Sequence, residues 1–463
     1  MSWPLLLVLL LSPQTPPPPP NPGDERPVFG GVPTGPATGE VLQLTLVDAI
    51  DRGLERNLAL LLGQQRIRAA RGARWEALSE LLPNVSFEFS ETRQKVNLEA
   101  FGFTSIPGFP DIPSLVGPFN VFDFRAQLTD TLFSFSSYEK VRAEQARIDA
   151  ARLSVQDSRD VVVLVAGALY LRAVSEESRI DAARAQLDTA RALLELAQDR
   201  KKAGLVPALD VLRADVERAR REQETITAEV RFAKAKLALA RAIGLPPGQQ
   251  FRLAERVPYS PARIRTLEEA LQTAYENRSD WKSAEARLRA AERARRAARG
   301  EWLPSLDVWG NYGALGATSV SARTTYTLGA AIRVPLFNGG KTIGKGLQAD
   351  AALEMERAAL EDLRARVRYE VESALLDMKA AQDRVTVAER AMLLAKEELT
   401  QAQDRFQAGV ASNIDVVQAQ ESVAGATESY IASLYDHNVA KAAMGRALGI
   451  AAASYRQVLQ GER

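Results

Sequence analysis

Gly409-Val410-Ala411-Ser412-Asn413-Ile414-Asp415-Val416-Val417 interrupts a text that is otherwise helical on both sides. Upstream, Leu347 to Ala408 contains no Gly and no Pro. Downstream, a helical run extends to about Leu448. Helix interiors exclude these residues, because Gly costs backbone entropy and Pro removes a donor and clashes with the preceding turn. At roughly 1.5 Å per residue the upstream arm reaches on the order of 90 Å. A helix that long needs a partner along its side. The stretch is therefore the turn of a long helical hairpin.

The same unit occurs 205 residues earlier. Gly204-Leu205-Val206-Pro207-Ala208-Leu209-Asp210-Val211-Leu212 aligns with the later turn, Gly on Gly and Asp on Asp. At the same shift, Ala242-Ile243-Gly244-Leu245 aligns with Ala447-Leu448-Gly449-Ile450. Ile180, Ala183, Leu187, Ala190, Leu194 and Ala197 align with Val385, Ala388, Met392, Ala395, Leu399 and Ala402. Spacings of three and four make these the seam of a coiled coil, and its alternate alanines allow close approach.

The duplication extends further upstream. A helix is expected from Leu46 to Ser79, with Thr45 as N-cap and Asp48 three residues on, ending before Pro83. Its copy begins at Thr266, carries Glu268 and Glu269 in its first turn, and ends before Pro304. The shift here is 221 residues, placing Leu82-Pro83 on Leu303-Pro304. The extra residues of the first copy fall in Phe101 to Phe119, rich in Gly, Pro and Phe, expected as an extended loop.

Between these helices lie four strand signals, two per repeat. Val85, Phe87 and Phe89 alternate with polar residues, as do Phe122, Phe124, Ala126 and Leu128. Leu306, Val308 and Gly310 do the same, although Trp309 interrupts the pattern; Tyr326, Leu328, Ala330, Ile332 and Val334 complete the set. Period two suits a half-buried antiparallel sheet, and equally an outer-membrane barrel with one face to lipid and one to a lumen. Four strands do not close a barrel, and open edges do not face lipid. Strands that span a membrane here must be completed by other chains.

Composition removes several classes of function. Among 463 residues, 59 basic and 58 acidic side chains leave a formal charge of +1, which gives no bulk case for nucleic acid. There is no Cys, and the only His is His437, expected as a surface or core residue. Thiolate and histidine chemistry, cofactor binding and enzymatic activity are not expected, and metal efflux is disfavoured. Gly339-Gly340-Lys341-Thr342-Ile343-Gly344-Lys345-Gly346 imitates a phosphate-binding loop, but Gly346 stands where Ser or Thr would hold magnesium. A strand-to-helix turn is the better reading. The apolar run Val161 to Leu171 is too short to span a bilayer and suits a bundle core. Leu5 to Leu11 has the length of a signal-peptide core, followed by a Pro-rich linker from Pro13 to Pro22.

The expected organisation is a signal-like segment and linker over 1–22, a first repeat over 23–245 that begins irregularly up to residue 43, and a joining segment over 246–265. A second repeat over 266–450 and a tail over 451–463 complete it. Phe251-Arg252-Leu253 is a short strand candidate in the joining segment. Together with the N-terminal segment and the tail, it is expected to belt the helices. Asp210 and Asp415 each lie six residues after a turn glycine. A carboxylate at a helix N-terminus explains them, and so does a charged ring at a pore mouth; periodicity favours neither, and the two readings are compatible.

The doubled hairpin, the paired Gly-x5-Asp-Val turns, Leu82-Pro83 with Leu303-Pro304, and Pro335-Leu336-Phe337-Asn338-Gly339-Gly340 resemble the TolC family of bacterial outer-membrane efflux proteins. The resemblance runs from about Leu44 to Ile450. It implies a mainly α chain with a membrane β part. Duplicated hairpins form an α-barrel across the periplasm, and four strands per chain contribute to a trimeric, twelve-stranded β-barrel in the outer membrane. It further implies a homotrimer in contact with outer-membrane lipid, a periplasmic adaptor and an inner-membrane pump of RND or ABC type. The resemblance places Gly204, Leu205, Asp210, Gly409, Val410 and Asp415 at the periplasmic tip, where the adaptor docks. It places Phe406, Asp415 and Gln418 at the pore constriction. Some relatives carry Tyr at the position of Phe406, Arg at that of Ala411 and a second acid at that of Gln418. A Tyr–Arg–Asp lock is therefore unavailable in that form, and closure is expected from Phe406 packing and an aspartate ring. The implied function is passive export of small molecules or drugs. A type I protein-secretion outlet uses the same channel, and a soluble coiled-coil scaffold is the alternative from another class.

Overall fold

The computed structural model describes residues 27–102, 113–254, 259–261 and 266–460. The signal-like segment, the Pro-rich linker and parts of the joining segment lie outside the described residues. In chain order, the elements of the first half are β1 (Leu42–Leu44), α1 (Leu46–Arg56), α2 (Leu58–Ser79), β2 (Asn84–Asn97), β3 (Leu115–Ser134), α3 (Phe135–Lys202), α4 (Ala208–Ala242) and β4 (Phe251–Leu253). Those of the second are α5 (Leu267–Asn277), α6 (Ser279–Gly300), β5 (Ser305–Gly316), β6 (Arg323–Arg333), α7 (Lys341–Gln407), α8 (Asn413–Ala447) and α9 (Ala451–Gln460).

The expected long arms are present. The 68 residues of α3 and 67 of α7 are continuous, about 100 Å each at 1.5 Å per residue. The Gly-Lys run is the start of α7, with Gly340 at φ +85° in the left-handed region just before Lys341. Along the seam Ile180, Leu187, Ala190, Ala197, Val385 and Ala395 are buried. Toward the tip, α4 packs on α3, α3 on α8 and α8 on α7; toward the strands, α2 packs on α3, α3 on α6 and α6 on α7. One side of the chain is thus bounded by α2 and α4, the other by α7.

Three expectations are corrected. The helix expected over Leu46–Ser79 is broken at Asn57, and its copy over 266–304 is broken at Arg278. Asn57 adopts φ −64°, ψ 133° and caps α2 by accepting the Ala59 N–H at 3.0 Å. The helix starts expected at Thr45 and Thr266 are those of α1 and α5, and each proves to be a capping box. Residues 23–43 are not wholly irregular, since β1 begins at Leu42 and pairs in parallel with β4. The loop expected over Phe101–Phe119 ends earlier, because β3 begins at Leu115 and pairs with Asn97.

Both breaks exist to receive a returning helix. Asn57 Nδ2 donates to Ala242 O at 3.4 Å, and Arg278 Nη1 to Ala447 O at 3.3 Å. The duplicated glycines Gly244 and Gly449 sit at φ +68° and +71°. A Cβ on Gly449 would lie 2.6 Å from Arg278 N, so only glycine admits the approach. Around these crossings lie two equivalent apolar cores. One joins α1, α3, the end of α4, both short strands and α9, and includes Val163, Ala166 and Tyr170 from the apolar run. The other joins α5, α6, α7 and the end of α8. His437 is fully buried, its ring 4.8 Å from that of Tyr259.

Arg278 is 1 % exposed and lies 2.7 Å from Asp280 and 2.6 Å from Glu370. Burial opposes its charge, but these two carboxylates outweigh it and raise its pKa. Nearby, burial raises Asp160 above the usual carboxylate range, although its Oδ1 accepts the Ala452 N–H at 2.7 Å.

The four longer strands form one antiparallel sheet in the order β2-β3-β5-β6. Its register puts Val85, Phe87, Phe89, Phe122, Phe124, Leu128, Tyr312, Tyr326, Leu328 and Ile332 on one face. Glu88, Asp123, Arg125, Gln127, Asp307 and Asn311 share the other. Trp309, the exception to the alternation, is on the polar face opposite Gly329, whose missing Cβ makes room for the indole.

Candidate functional site: the hairpin tips and the open sides

Each tip is built by a Schellman turn, in which a left-handed residue ends a helix and its neighbours satisfy the last carbonyls. Gly204 has φ +73°; its N–H reaches Lys201 O at 3.0 Å and the Leu205 N–H reaches Arg200 O at 2.9 Å. Gly409 has φ +75°, with Gly409 N–H to Phe406 O at 3.1 Å and Val410 N–H to Arg405 O at 3.0 Å. Side chains at the Leu205 and Val410 position usually fold back on the helix. Here the residue they would meet is an arginine, and they stay 73 % and 68 % exposed. The tips thus present apolar side chains to water.

Both aspartates lie in the first turn of a returning helix, as the dipole argument expects. Asp415 closes a capping box: its Oδ2 accepts the Ser412 N–H at 2.8 Å and the Ser412 hydroxyl at 3.0 Å. The Ser412 backbone hydrogen bond, with the hydroxyl and the charge of Arg405, holds Asp415 below the usual carboxylate range. The carboxylate is exposed and charged. Asp210 is half-buried, with Arg213 Nη1 at 3.6 Å.

Of the three residues expected at the constriction, the structure separates one from two. Asp415 and Gln418 are exposed on α8. Phe406 is 4 % exposed, packed with Leu193 and Val416 inside the chain. Its role is to hold the two hairpins together. Arg200 completes that contact: its guanidinium lies 4.4 Å from the Phe406 ring centroid and donates to Phe406 O and Gln407 O, both at 2.9 Å. Sequence reading missed Arg200, since a basic residue in a last helical turn is expected for the dipole alone.

The sides of the chain are unfinished. Among the described residues, β2 and β6 each pair on one edge only. Along α4, Leu209, Leu212, Val216, Ile226, Val230 and Leu237 are exposed at heptad spacing. Along α7, Met355, Tyr369, Leu376, Val387 and Leu394 are exposed on the opposite boundary. Sequence reading passed over this seam, although the seven-residue spacing of Leu209, Val216, Val230 and Leu237 is a signal that could have found it. Among the described residues no helix is long and apolar enough to cross a membrane.

Comparison with known proteins agrees with this architecture. The family model described as outer membrane efflux protein matches residues 49–245 and 270–450. Protein CyaE of Bordetella pertussis is 27 % identical over 408 residues, covering 86 % of this chain and 82 % of that protein. The pyoverdine export outer membrane protein OpmQ of Pseudomonas aeruginosa is 26 % identical over 443 residues, covering 92 % and 87 %. The Campylobacter jejuni CmeC outer membrane channel superposes with a TM-score of 0.77 at 17 % identity, covering 90 % of this chain and 87 % of that one.

Proposed function

The chain belongs to the outer membrane efflux protein family, and from that premise we propose that three copies close into one conduit for cargo delivered by an inner-membrane pump through a periplasmic adaptor. It resides in the outer membrane and extends into the periplasm. The observation that carries the proposal is the agreement of the open sides. β2 and β6, two edges of one antiparallel sheet, run oppositely, so β6 of one copy meets β2 of the next with antiparallel pairing. The same step brings α7 against the neighbour's α2 near the sheet and against its α4 near the tip. All three pairings follow from one rotation, and closure abolishes the edges that lipid forbids.

In that assembly the Phe- and Tyr-bearing face meets lipid and the polar face lines the lumen. The strands, 11 to 20 residues long, meet or exceed the 9–11 or so needed to cross a bilayer. A soluble scaffold would leave Phe87, Phe89, Tyr326 and Leu328 in water. Exposed Leu205 and Val410, with Gly204 and Gly409 shaping the turns, supply an apolar docking surface for the adaptor. Asp415, with Gln418 one turn on, supplies a charged ring at the narrow end, and Asp210 supports the turn beside it. Energy comes from the pump. The cargo is small molecules, in keeping with the efflux description of the family.

Reconstitution into planar bilayers tests the proposal. Discrete single-channel steps with cation preference are expected; insertion without ionic current would exclude a conduit.

A further inference from the structure

Two arginines occupy the same place in the two hairpins. Arg200 precedes Gly204, and Arg405 precedes Gly409, by the same four residues. Each offers the backbone carbonyl that closes its turn. Arg200 is engaged across the hairpins, stacked on Phe406 and donating to the carbonyls of Phe406 and Gln407. Arg405 is exposed, and among the described residues its side chain donates no hydrogen bond. At the repeat shift, the counterparts of the two acceptors are Lys201 O and Lys202 O, at the end of α3. Lys202 O accepts no hydrogen bond among the described residues, as the last carbonyls of a helix do until something caps them.

Helix order fixes where Arg405 can find them. Across one chain the order is α4, α3, α8, α7, and in a closed ring the next copy contributes its α4 and then its α3. Arg200 reaches from α3 past α8 to the end of α7. The equivalent reach from α7 passes the neighbour's α4 and ends on its α3. We propose that Arg405 donates to the Lys201 and Lys202 carbonyls of the neighbouring copy, making a clamp between chains that twins the Arg200 clamp within each chain. The inference rests on the trimeric reading above.

The twins are unequal. Where Arg200 meets the ring of Phe406, Arg405 meets Lys201, a like charge with no π face. The clamp between copies is the weaker one, and the tip parts along the seams between chains.

The absence of native cysteine makes the test clean. Arg405→Cys with Lys202→Cys, treated with a short bismaleimide, is expected to yield covalent dimers and trimers in denaturing gels. Arg200→Cys with Gln407→Cys is expected to link within a chain and keep the monomer mass. In bilayers, Arg405→Ala is expected to raise mean conductance at least two-fold without changing the mass in detergent. The proposal is overturned if the protein remains trimeric while the 405/202 pair fails to join chains, or if Arg405→Ala leaves conductance unchanged. A monomeric protein in detergent would instead defeat the trimeric reading itself, and this clamp with it.

Discussion

Asn57 and Arg278 hold the same position in the two repeats and do the same thing: each donates a side-chain hydrogen bond to the carbonyl ending its hairpin's returning helix, Ala242 O at 3.4 Å and Ala447 O at 3.3 Å. The chemistry differs. Asn57 is neutral and caps α2, whereas Arg278 brings a buried charge that Asp280 and Glu370 must balance.

Arg278→Ala is therefore predicted to cost far more than Asn57→Ala. Removing one partner of a buried ion pair costs about 3 kcal/mol or more, and losing a cap costs about 1 kcal/mol. Unfolding midpoints in detergent should fall in that order. Arg278→Ala with Asp280→Ala should recover part of the loss, because the more buried of its two carboxylate partners is gone and Glu370 is the more exposed one.

Asp415 carries two separable roles. Asp415→Asn keeps an acceptor for the Ser412 N–H and removes the charge; Asp415→Ala removes both. Both are predicted to lower cation preference in bilayers, but only the alanine should speed amide exchange in the first turn of α8. Because the Ser412 hydrogen bond depresses the pKa, the charge is retained as pH falls to the ordinary aspartate range and is lost only below it. Cation preference should persist in mildly acidic solution; its loss there would remove Asp415 from the selectivity ring.

Arg200→Ala releases the end of α7. Hydrogen bonds to a charged donor contribute about 1.5–3 kcal/mol each, so exchange of the Gly409 and Val410 amides should accelerate about ten-fold or more. Arg200→Lys keeps the charge but loses the two-pronged geometry, and should fall between. Equal exchange in all three proteins would deny Arg200 its clamp.

Asp160 is predicted to respond in the opposite sense from Asp415. Burial raises its folded-state pKa above the unfolded value, so the fold binds the proton more tightly. Its contribution to stability improves as pH falls through the raised pKa toward the unfolded one, and worsens as pH rises. Asp160→Asn keeps the acceptor for the Ala452 N–H and removes the charge. Its unfolding midpoint at neutral pH should equal or exceed that of the parent, and the advantage should shrink as pH falls, because the parent gains stability from protonating this group and the variant does not.

What the sequence made legible is what local chemistry decides. The turns at Gly204 and Gly409 need a left-handed residue, and the starts at Thr45 and Thr266 need a capping box, so both are written within a few positions. The strands were visible because period two survives in Val85–Phe89 and Tyr326–Ile332. The breaks at Asn57 and Arg278 were not, because their cause is a helix end 185 and 169 residues away. Leu115–Phe119 was hidden by Gly117-Pro118, which mimics a loop. Phe406 illustrates the limit at the site: an aromatic near a tip suits a lumen or a core equally, and only the positions of Leu193, Val416 and Arg200 decide for the core.

The central claim is that neighbouring copies finish the open edges of β2 and β6. Native mass measurement of the detergent-solubilised chain tests it most directly. The account predicts a protein mass three times that of the same chain measured after denaturation; a stable single copy would contradict it.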